Sequence, residues 1–347
     1  MIDLISDTVT LPDEEMLKTI LSSSLGDAGR ISADRRGEDE TTNRLEDMAA
    51  SITGKETAAF FPSGTMANTA AILAFCPPES EILVDENQHI LRSEKICFEE
   101  AYFRMKPVCY RLAPEGGPDM EQLENLLNSH KIRLLCLEDT HNFSGGICIP
   151  LEKLQDAGEM AKKSGIPVHL DGARLFHAAE AQGVAPREIC EHADTVMFCI
   201  SKGLGAPIGS LLCGSREQIW KTVEIRKLLG GTMRQSGVAA ACGIYALEHQ
   251  LQRLSEDREN AQLVARALDG AKKISVSVYP QTNILLIHAE KAGLTGAELC
   301  KRLLSHGIRG MAVSETEVRL VFHKGIERKD AERAAEELWR MEIQLRE

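Results

Sequence analysis

Residues 194–207 read DTVMFCISKGLGAP. The run 195–200 is almost wholly apolar and of strand length, the pattern of a strand buried on both faces. It stops at Ser201-Lys202-Gly203, passes Gly205-Ala206-Pro207, and a second apolar run follows over 208–213. A lysine at the end of a buried strand, set among small residues, can hang over a pocket with much of its stem out of water. Desolvation favours the neutral amine, and the neutral amine is the nucleophile. Lys202 is therefore a candidate Schiff-base lysine. The competing reading is a surface lysine whose stem lies on the core.

Outward from this strand, the pattern repeats. Strands are predicted over 57–61, 81–85, 106–112, 132–137 and 166–170, with helices between them: one opening after Pro62-Ser63-Gly64-Thr65, one from Gln88-His89 through 101, and others over 119–129 and 151–164. Such alternation implies βαβ units, an α/β fold with a mostly parallel central sheet flanked by helices. Ligands of such sheets bind at the carboxyl ends of the strands. Ser63-Gly64-Thr65, the segment 139–142, Asp171 to Arg174 and Ser201-Lys202 all stand where a strand ends, and are read as one site. Residues 2–11 read as extended, and Pro12-Asp13-Glu14-Glu15 opens a helix. Residues 26–40 form a long polar loop, after which Thr41 or Thr42 caps a helix carrying Leu45, Met48, Ala49 and Ile52. Beyond a turn-rich loop at 230–237, one long helical stretch is expected over 238–268. Short strands (275–278, 283–288, 318–322) and helices (295–305, 328–345) then imply a small α+β domain. The expected division is a large domain of residues 1–250, with an arm over 1–15, and a small domain of 251–347.

The chain has 347 residues, 43% hydrophobic and 27% charged, with a formal net charge of −12. That is globular composition with ample material for a large core. The acidic balance and the lack of a basic cluster argue against nucleic-acid and anionic-membrane partners. The start MIDLISDTVT lacks the pattern of a signal peptide, and no apolar run has membrane-spanning length. Ten cysteines without a C-x-x-C spacing do not form a disulfide scaffold and suit a reducing cytoplasm.

Each candidate group has a chemical use and a plainer alternative. Ser63-Gly64-Thr65 at a helix start offers hydroxyls, backbone N–H groups and a positive dipole end, a cradle for one phosphate, or merely a capped helix. Asp171 could pair with a cationic ring nitrogen, and Arg174 could meet an anionic oxygen or a substrate carboxylate; the alternative is a structural Asp–Arg pair. His89 could stack on a planar cofactor or move a proton, or be a half-buried histidine. Asp139, His141, His169, Asp171 and His177 are of metal-ligand type, but lack the spacing of a known metal motif.

Together SDTVT (6–10), PSGTMAN (62–68), the His89 segment, EDTHN and SGG (138–146), HLDGAR (169–174), MFCISKGLGAP (197–207), GGTMRQSG (230–237) and EVRLVFHK (317–324) resemble the threonine aldolases of the aspartate-aminotransferase fold, fold type I. The resemblance implies pyridoxal 5'-phosphate as cofactor and a β-hydroxy-α-amino acid such as threonine or allo-threonine as substrate, cleaved to glycine and an aldehyde. It implies that Lys202 binds the cofactor covalently, Asp171 holds its ring nitrogen protonated, His89 stacks on the ring, and Ser63, Gly64 and Thr65 hold the phosphate, joined by Arg234 of a neighbouring subunit. Ser6, Arg174 and Arg319 would hold the substrate carboxylate, in a homodimer or homotetramer. The chain departs from the family at Ile5, where arginine is usual, at Arg36, where the loop usually has tyrosine, and at Leu91, Arg92 and Ser93, where aromatic residues usually follow the histidine. The segment containing a second histidine is shortened, with His130 as its stand-in. These departures fall on the substrate side of the pocket. They keep a β-eliminating lyase or amino-acid racemase on the same cofactor in view, and the Asp and His set keeps in view a metal-dependent hydrolase.

Overall fold

The computed structural model describes residues 1–32 and 35–346. Two residues of the loop expected over 26–40, Ala33 and Asp34, lie outside the described residues. A seven-stranded sheet runs in the order Thr57–Phe61, Ser210–Gly214, Thr195–Cys199, Val168–Asp171, Ile132–Glu138, Glu81–Asp85, Lys106–Tyr110. Only Ser210–Gly214 lies antiparallel to its neighbours; the other pairings in the sheet are parallel.

The alternation of side chains across a strand explains the continuous apolar runs. Val196 and Phe198 enter one core with Ala58, Phe60, Leu135 and Leu137. Met197 and Cys199 point the other way, with Ala59 and Phe61, into a second. The opposite face is covered by the helices Gly64–Phe75 and Arg216–Leu228, which supply Ala67, Ala70, Ala71 and Ile219. With both faces dry, every residue of Thr195–Cys199 is buried. Among the described residues, no helix is long and apolar enough to cross a membrane.

A smaller antiparallel sheet orders Met311–Ala312, Glu317–Val321, Ile284–His288 and Ser275–Val278. Its core includes Leu285, Leu320, Phe322 and Leu338, and also Ile2 and Leu4 from the start of the chain. The helix Leu254–Ala267 belongs to both bodies: Leu254 lies in the large core, Ala261, Val264 and Ala265 in the small one.

Four local expectations are corrected. The extended segment over 2–11 is a two-residue strand, Ile2–Asp3, paired with Ile308–Arg309, followed by a 3-10 turn at Asp7–Val9. The helix Glu40–Thr53 is capped by Asp39, not by a threonine. Asp39 Oδ1 accepts from Thr42 N at 2.8 Å, and Oδ2 accepts from Gly26 N at 3.1 Å and Gly237 N at 3.2 Å, so a buried carboxylate ties three segments. The stretch 238–268 is two helices, Gly237–His249 and Leu254–Ala267. Neither glycine nor proline marks the break; it is tertiary, with Gln250 buried against Asp13 and Arg253 donating to Gly203 O. The helix expected over 88–101 shrinks to one π-helical turn, Ile90–Glu94, ended by Lys95 at φ 58°.

Candidate active site

The Val168–Asp171 strand is buried throughout, so the Asp171 carboxylate at its end needs protein partners. Its Oδ1 accepts from Ala173 N at 3.1 Å and its Oδ2 from Asn68 Nδ2 at 2.9 Å. Asn68 sits in the helix Gly64–Phe75, fully buried, and its amide is oriented from behind. His169 Nε2 lies 3.0 Å from Asn68 Oδ1, and His169 Nδ1 lies 2.9 Å from Thr195 Oγ1. Burial pushes His169 down to about 4, so its ring is neutral at physiological pH. A neutral ring with the proton on Nε2 donates to Asn68 and accepts from the Thr195 hydroxyl, which satisfies both contacts. The Asn68 NH2 group then faces two carboxylates, Asp171 and Glu94, the latter at 3.0 Å from Oε1.

Glu94 Oε1 is also 3.1 Å from His89 Nδ1. Burial, and the nearby Asp171 charge, raise the Glu94 carboxyl. Burial disfavours the charged His89 ring, but Glu94, Asp171 and Glu138 outweigh it and raise His89 above an ordinary imidazole. The π-helical turn makes this pair possible, because it turns Glu94 inward beneath His89. Glu138 joins the two halves of the site: its Oε2 accepts from His89 N at 2.6 Å and its Oε1 from Asn142 N at 2.7 Å. The His89 ring stacks on Phe143 with centroids 6.2 Å apart and planes at 16°.

The substrate-carboxylate candidates divide into unequal roles. Arg174 donates from Nε to Asp7 Oδ2 at 2.7 Å and from Nη2 to Asp7 Oδ1 at 2.8 Å, a two-pronged pair with both partners buried. Its Nη1 reaches Asn142 Oδ1 at 3.0 Å, and Arg319 Nη1 reaches the same oxygen at 2.7 Å. Arg319 has no carboxylate partner, and its buried Nε no hydrogen-bond partner, among the described residues. Burial, with Arg174 alongside, lowers Arg319 to about 10, still a cation at neutral pH. Asp7 thus neutralises Arg174, and Arg319 is the spare cation. Ser6 caps the turn that presents Asp7, accepting from Thr8 N at 3.2 Å.

Lys202 follows the Thr195–Cys199 strand, half-buried and without an ion-pair partner among the described residues. It lines a small void with Arg174, His177 and Cys199. The next residue must be glycine: a Cβ at position 203 would lie 2.5 Å from His177 Cε1. At the end of Thr57–Phe61, one strand removed, Ser63 caps the twelve-residue helix Gly64–Phe75, its Oγ accepting from Met66 N at 3.2 Å, and the Ser63 and Thr65 side chains stay exposed. A Cβ at Gly64 would lie 3.0 Å from Cys199 Sγ, so the turn packs against the strand that carries Lys202. Arg234 stands apart from these groups, 66% exposed and paired with Asp27 of its own chain at 2.9 Å.

The set considered for a metal does not converge. His141 bonds Asp85 at 3.0 Å, His177 faces Asp257 at 3.5 Å, and His169 serves Asn68. The metal-ligand-type group among the described residues is a different one, His89, Glu94 and Asp171, with ligand atoms within 4.8 Å of one another. Sequence reasoning missed Asp7, Asn68, Glu94 and Glu138 as members of the site, while Asn142 lies in the segment 139–142 read as part of it. Three of the four missed residues lie within the motifs SDTVT, PSGTMAN and EDTHN; Glu94 carried no periodic signal.

The family model described as "Beta-eliminating lyase" matches residues 3–291. The chain is 37% identical over 339 residues to low-specificity L-threonine aldolase 1 of Arabidopsis thaliana, covering 95% of this chain and 93% of that relative. The chain belongs to the threonine aldolases of the beta-eliminating lyase family. A solved threonine aldolase of Leishmania major superposes on this family member with a TM-score of 0.79 at 18% identity, covering 99% of this chain and 100% of that one. An aspartate aminotransferase of Rhodobacter sphaeroides superposes with a TM-score of 0.76 at 17% identity, over 99% and 93% of the two chains. At these identities the likeness carries the fold: the aspartate-aminotransferase-like fold type I expected from the motifs.

The His89–Glu94 pair in this threonine aldolase relative gives a pH prediction. Glu94→Gln removes a carboxylate that raises His89, so the His89 pKa falls. If His89 titrates in the reaction, one limb of the log(kcat/KM) profile should move to lower pH, and ring-proton NMR of His89 should titrate lower in parallel. A profile and titration identical to the wild type would remove Glu94 from this role.

Proposed function

We propose that the protein cleaves L-threonine, L-allo-threonine and related β-hydroxy-α-amino acids to glycine and an aldehyde, using pyridoxal 5'-phosphate. What carries the reading is a lysine at a strand end that has no ion-pair partner among the described residues and shares a void with Arg174, in a chain so similar to a named threonine aldolase.

The residues present fit the cofactor. Gly64 lies where a side chain would crowd Cys199, and exposed hydroxyls stand at the start of a twelve-residue helix, a cradle for a phosphate. Asp171 is a buried carboxylate with one lone pair on each oxygen left over from its bonds to Ala173 and Asn68. When bound, the cofactor supplies an electron sink for the pair released at Cα. Lys202 would hold its carbonyl carbon covalently and Asp171 would keep a proton on its ring nitrogen. Ser63, Gly64 and Thr65 would bind its phosphate, with Arg234 reaching it from a second copy. Arg319 receives the substrate α-carboxylate and so fixes which bond at Cα is aligned for cleavage. Arg174, neutralised by Asp7, holds Asn142 in place beside Arg319. His89 has Nδ1 engaged by Glu94, which leaves Nε2 to take the proton of the β-hydroxyl. We place the enzyme in the cytoplasm as a homodimer or homotetramer.

The test is the purified protein supplied with pyridoxal phosphate. Glycine and acetaldehyde should appear in equal amounts from L-threonine, and the bound cofactor's absorbance should change on adding glycine. Pyruvate and ammonia, or the mirror-image amino acid, would instead make this a β-eliminating lyase or a racemase, a reading favoured by Leu91, Arg92 and Ser93 on the substrate side. A protein that takes up no pyridoxal phosphate would overturn the proposal.

A further inference from the structure

One cation of the site has no task in cleaving threonine. Arg92 lies three residues after His89, on the π-helical turn Ile90–Glu94. Turns of this kind recur at functional sites. Its guanidinium carbon lies 4.9 Å from the centre of the Phe143 ring, and that ring stacks on His89. Phe143 follows Asn142, whose Oδ1 receives both Arg174 and Arg319. Contacts therefore run from Arg319 to Asn142, and from its neighbour Phe143 to both His89 and Arg92, which puts Arg92 next to the ring that stacks on the proposed base.

Arg92 is exposed and unpaired by any carboxylate. Its one hydrogen bond runs from Nη1 to Asn87 Oδ1 at 3.1 Å, and it has no acidic partner among the described residues. This is so although acidic side chains outnumber Lys and Arg, 52 to 40. A guanidinium resting on a ring face keeps its edge N–H groups free, and that edge matches a carboxylate with two parallel bonds. Lys202, Arg319 and Arg92 are thus three cations of one site without a carboxylate. Amine attachment and the α-carboxylate account for the first two.

We propose that Arg92 binds a second carboxylate, carried on the β-substituent, so that the preferred substrates are β-hydroxy-α-amino acids whose aldehyde half is itself an acid. This rests on the aldolase reading above. The Cα–Cβ bond breaks, the β-hydroxyl proton leaves to a base, the bonding pair stays with Cα and is protonated there. 3-Hydroxyaspartate then gives glycine and glyoxylate, and 3-hydroxyglutamate gives glycine and 3-oxopropanoate, with no oxidant or reductant needed.

The experiment compares kcat/KM of the holoenzyme for L-threonine, 3-hydroxyaspartate and 3-hydroxyglutamate, in wild type, Arg92→Gln and Arg92→Lys. One of the two diacids should exceed threonine by about 10- to 100-fold, the range of a charge-assisted hydrogen bond. That ratio should collapse at least about tenfold in Arg92→Gln and recover in part in Arg92→Lys. Binding is read separately, by the absorbance change of the holoenzyme with L-glutamate against L-norvaline, neither of which has a β-hydroxyl to cleave. Glutamate should bind the wild type more tightly, and lose that advantage in Arg92→Gln. Cleavage of threonine with a diacid ratio that the substitution leaves unmoved, or a wild type that prefers threonine to both diacids, overturns the proposal alone. No glycine from any of the three substrates overturns the aldolase reading and this proposal with it.

Discussion

Replacing Lys202 with alanine is expected to abolish glycine formation from threonine, by on the order of 10⁴-fold or more in kcat/KM, the scale on which loss of a covalent catalytic group is felt. The structure says why this loss is chemical and not structural. Lys202 lies beyond the end of the buried Thr195–Cys199 strand, half-buried, and makes no ion pair with the described residues. The turn that carries it is held by its neighbours: Arg253 Nη1 donates to Gly203 O at 3.2 Å, and His177 packs on the Gly203 Cα. Removing the side chain leaves those contacts standing, so the variant should fold and melt like the wild type. Asp171 and the Ser63 turn are also untouched, so some pyridoxal phosphate should still bind, but reversibly. Borohydride treatment of the loaded wild type should fix the cofactor on the peptide containing Lys202, as read by mass spectrometry. The Lys202→Ala and Lys202→Arg variants should show no such adduct. Full activity in either variant, or an adduct on another lysine, would move the nucleophile elsewhere.

The sequence was most legible where one pattern is forced by one environment. A strand dry on both faces must be apolar at every position, which is why 195–200 announced itself. Ser63 before a buried helix announced a cap, and the strand-end motifs lie at the carboxyl ends of strands of one sheet. What periodicity could not carry was polar structure made by distant partners. Asn68 looks like an ordinary helix residue until His169 and Thr195 orient its amide toward Asp171. Glu94 falls inside the helix expected over 88–101 without any signal of its own, because its inward turn depends on the π-helical geometry at His89. Arg174 and Arg319 looked equivalent from the chain. Their difference comes from Asp7, which lies 167 residues from Arg174 and forms its ion pair with Arg174, not with Arg319.

That pairing sets the other large effect. Asp7→Asn should destabilise the fold by about 3–5 kcal/mol at neutral pH, because it leaves the buried Arg174 guanidinium without its counter-charge and with Arg319 close by. Burial by itself would raise the Asp7 carboxyl. The Arg174 charge and its two hydrogen bonds, helped by Lys202 and His177, override that and hold it far below its ordinary 3.8. A carboxyl depressed in the folded state adds stability that is fully present above the unfolded value and lost as pH falls toward the folded one. The gap between wild type and Asp7→Asn, read from urea unfolding, should therefore be widest near neutrality and narrow below about pH 4. An equal gap at pH 7 and pH 3, or none at either, would mean that the pair contributes nothing beyond shape. Coupling gives the sharper check. If the penalty is the uncompensated cation, adding Arg174→Met to Asp7→Asn should restore much of the loss, since an apolar side chain of similar length has no charge to strand. The same double variant should still cleave threonine with a raised KM, because Asn142 loses the donor from Arg174 while Arg319, the group proposed to meet the α-carboxylate, remains.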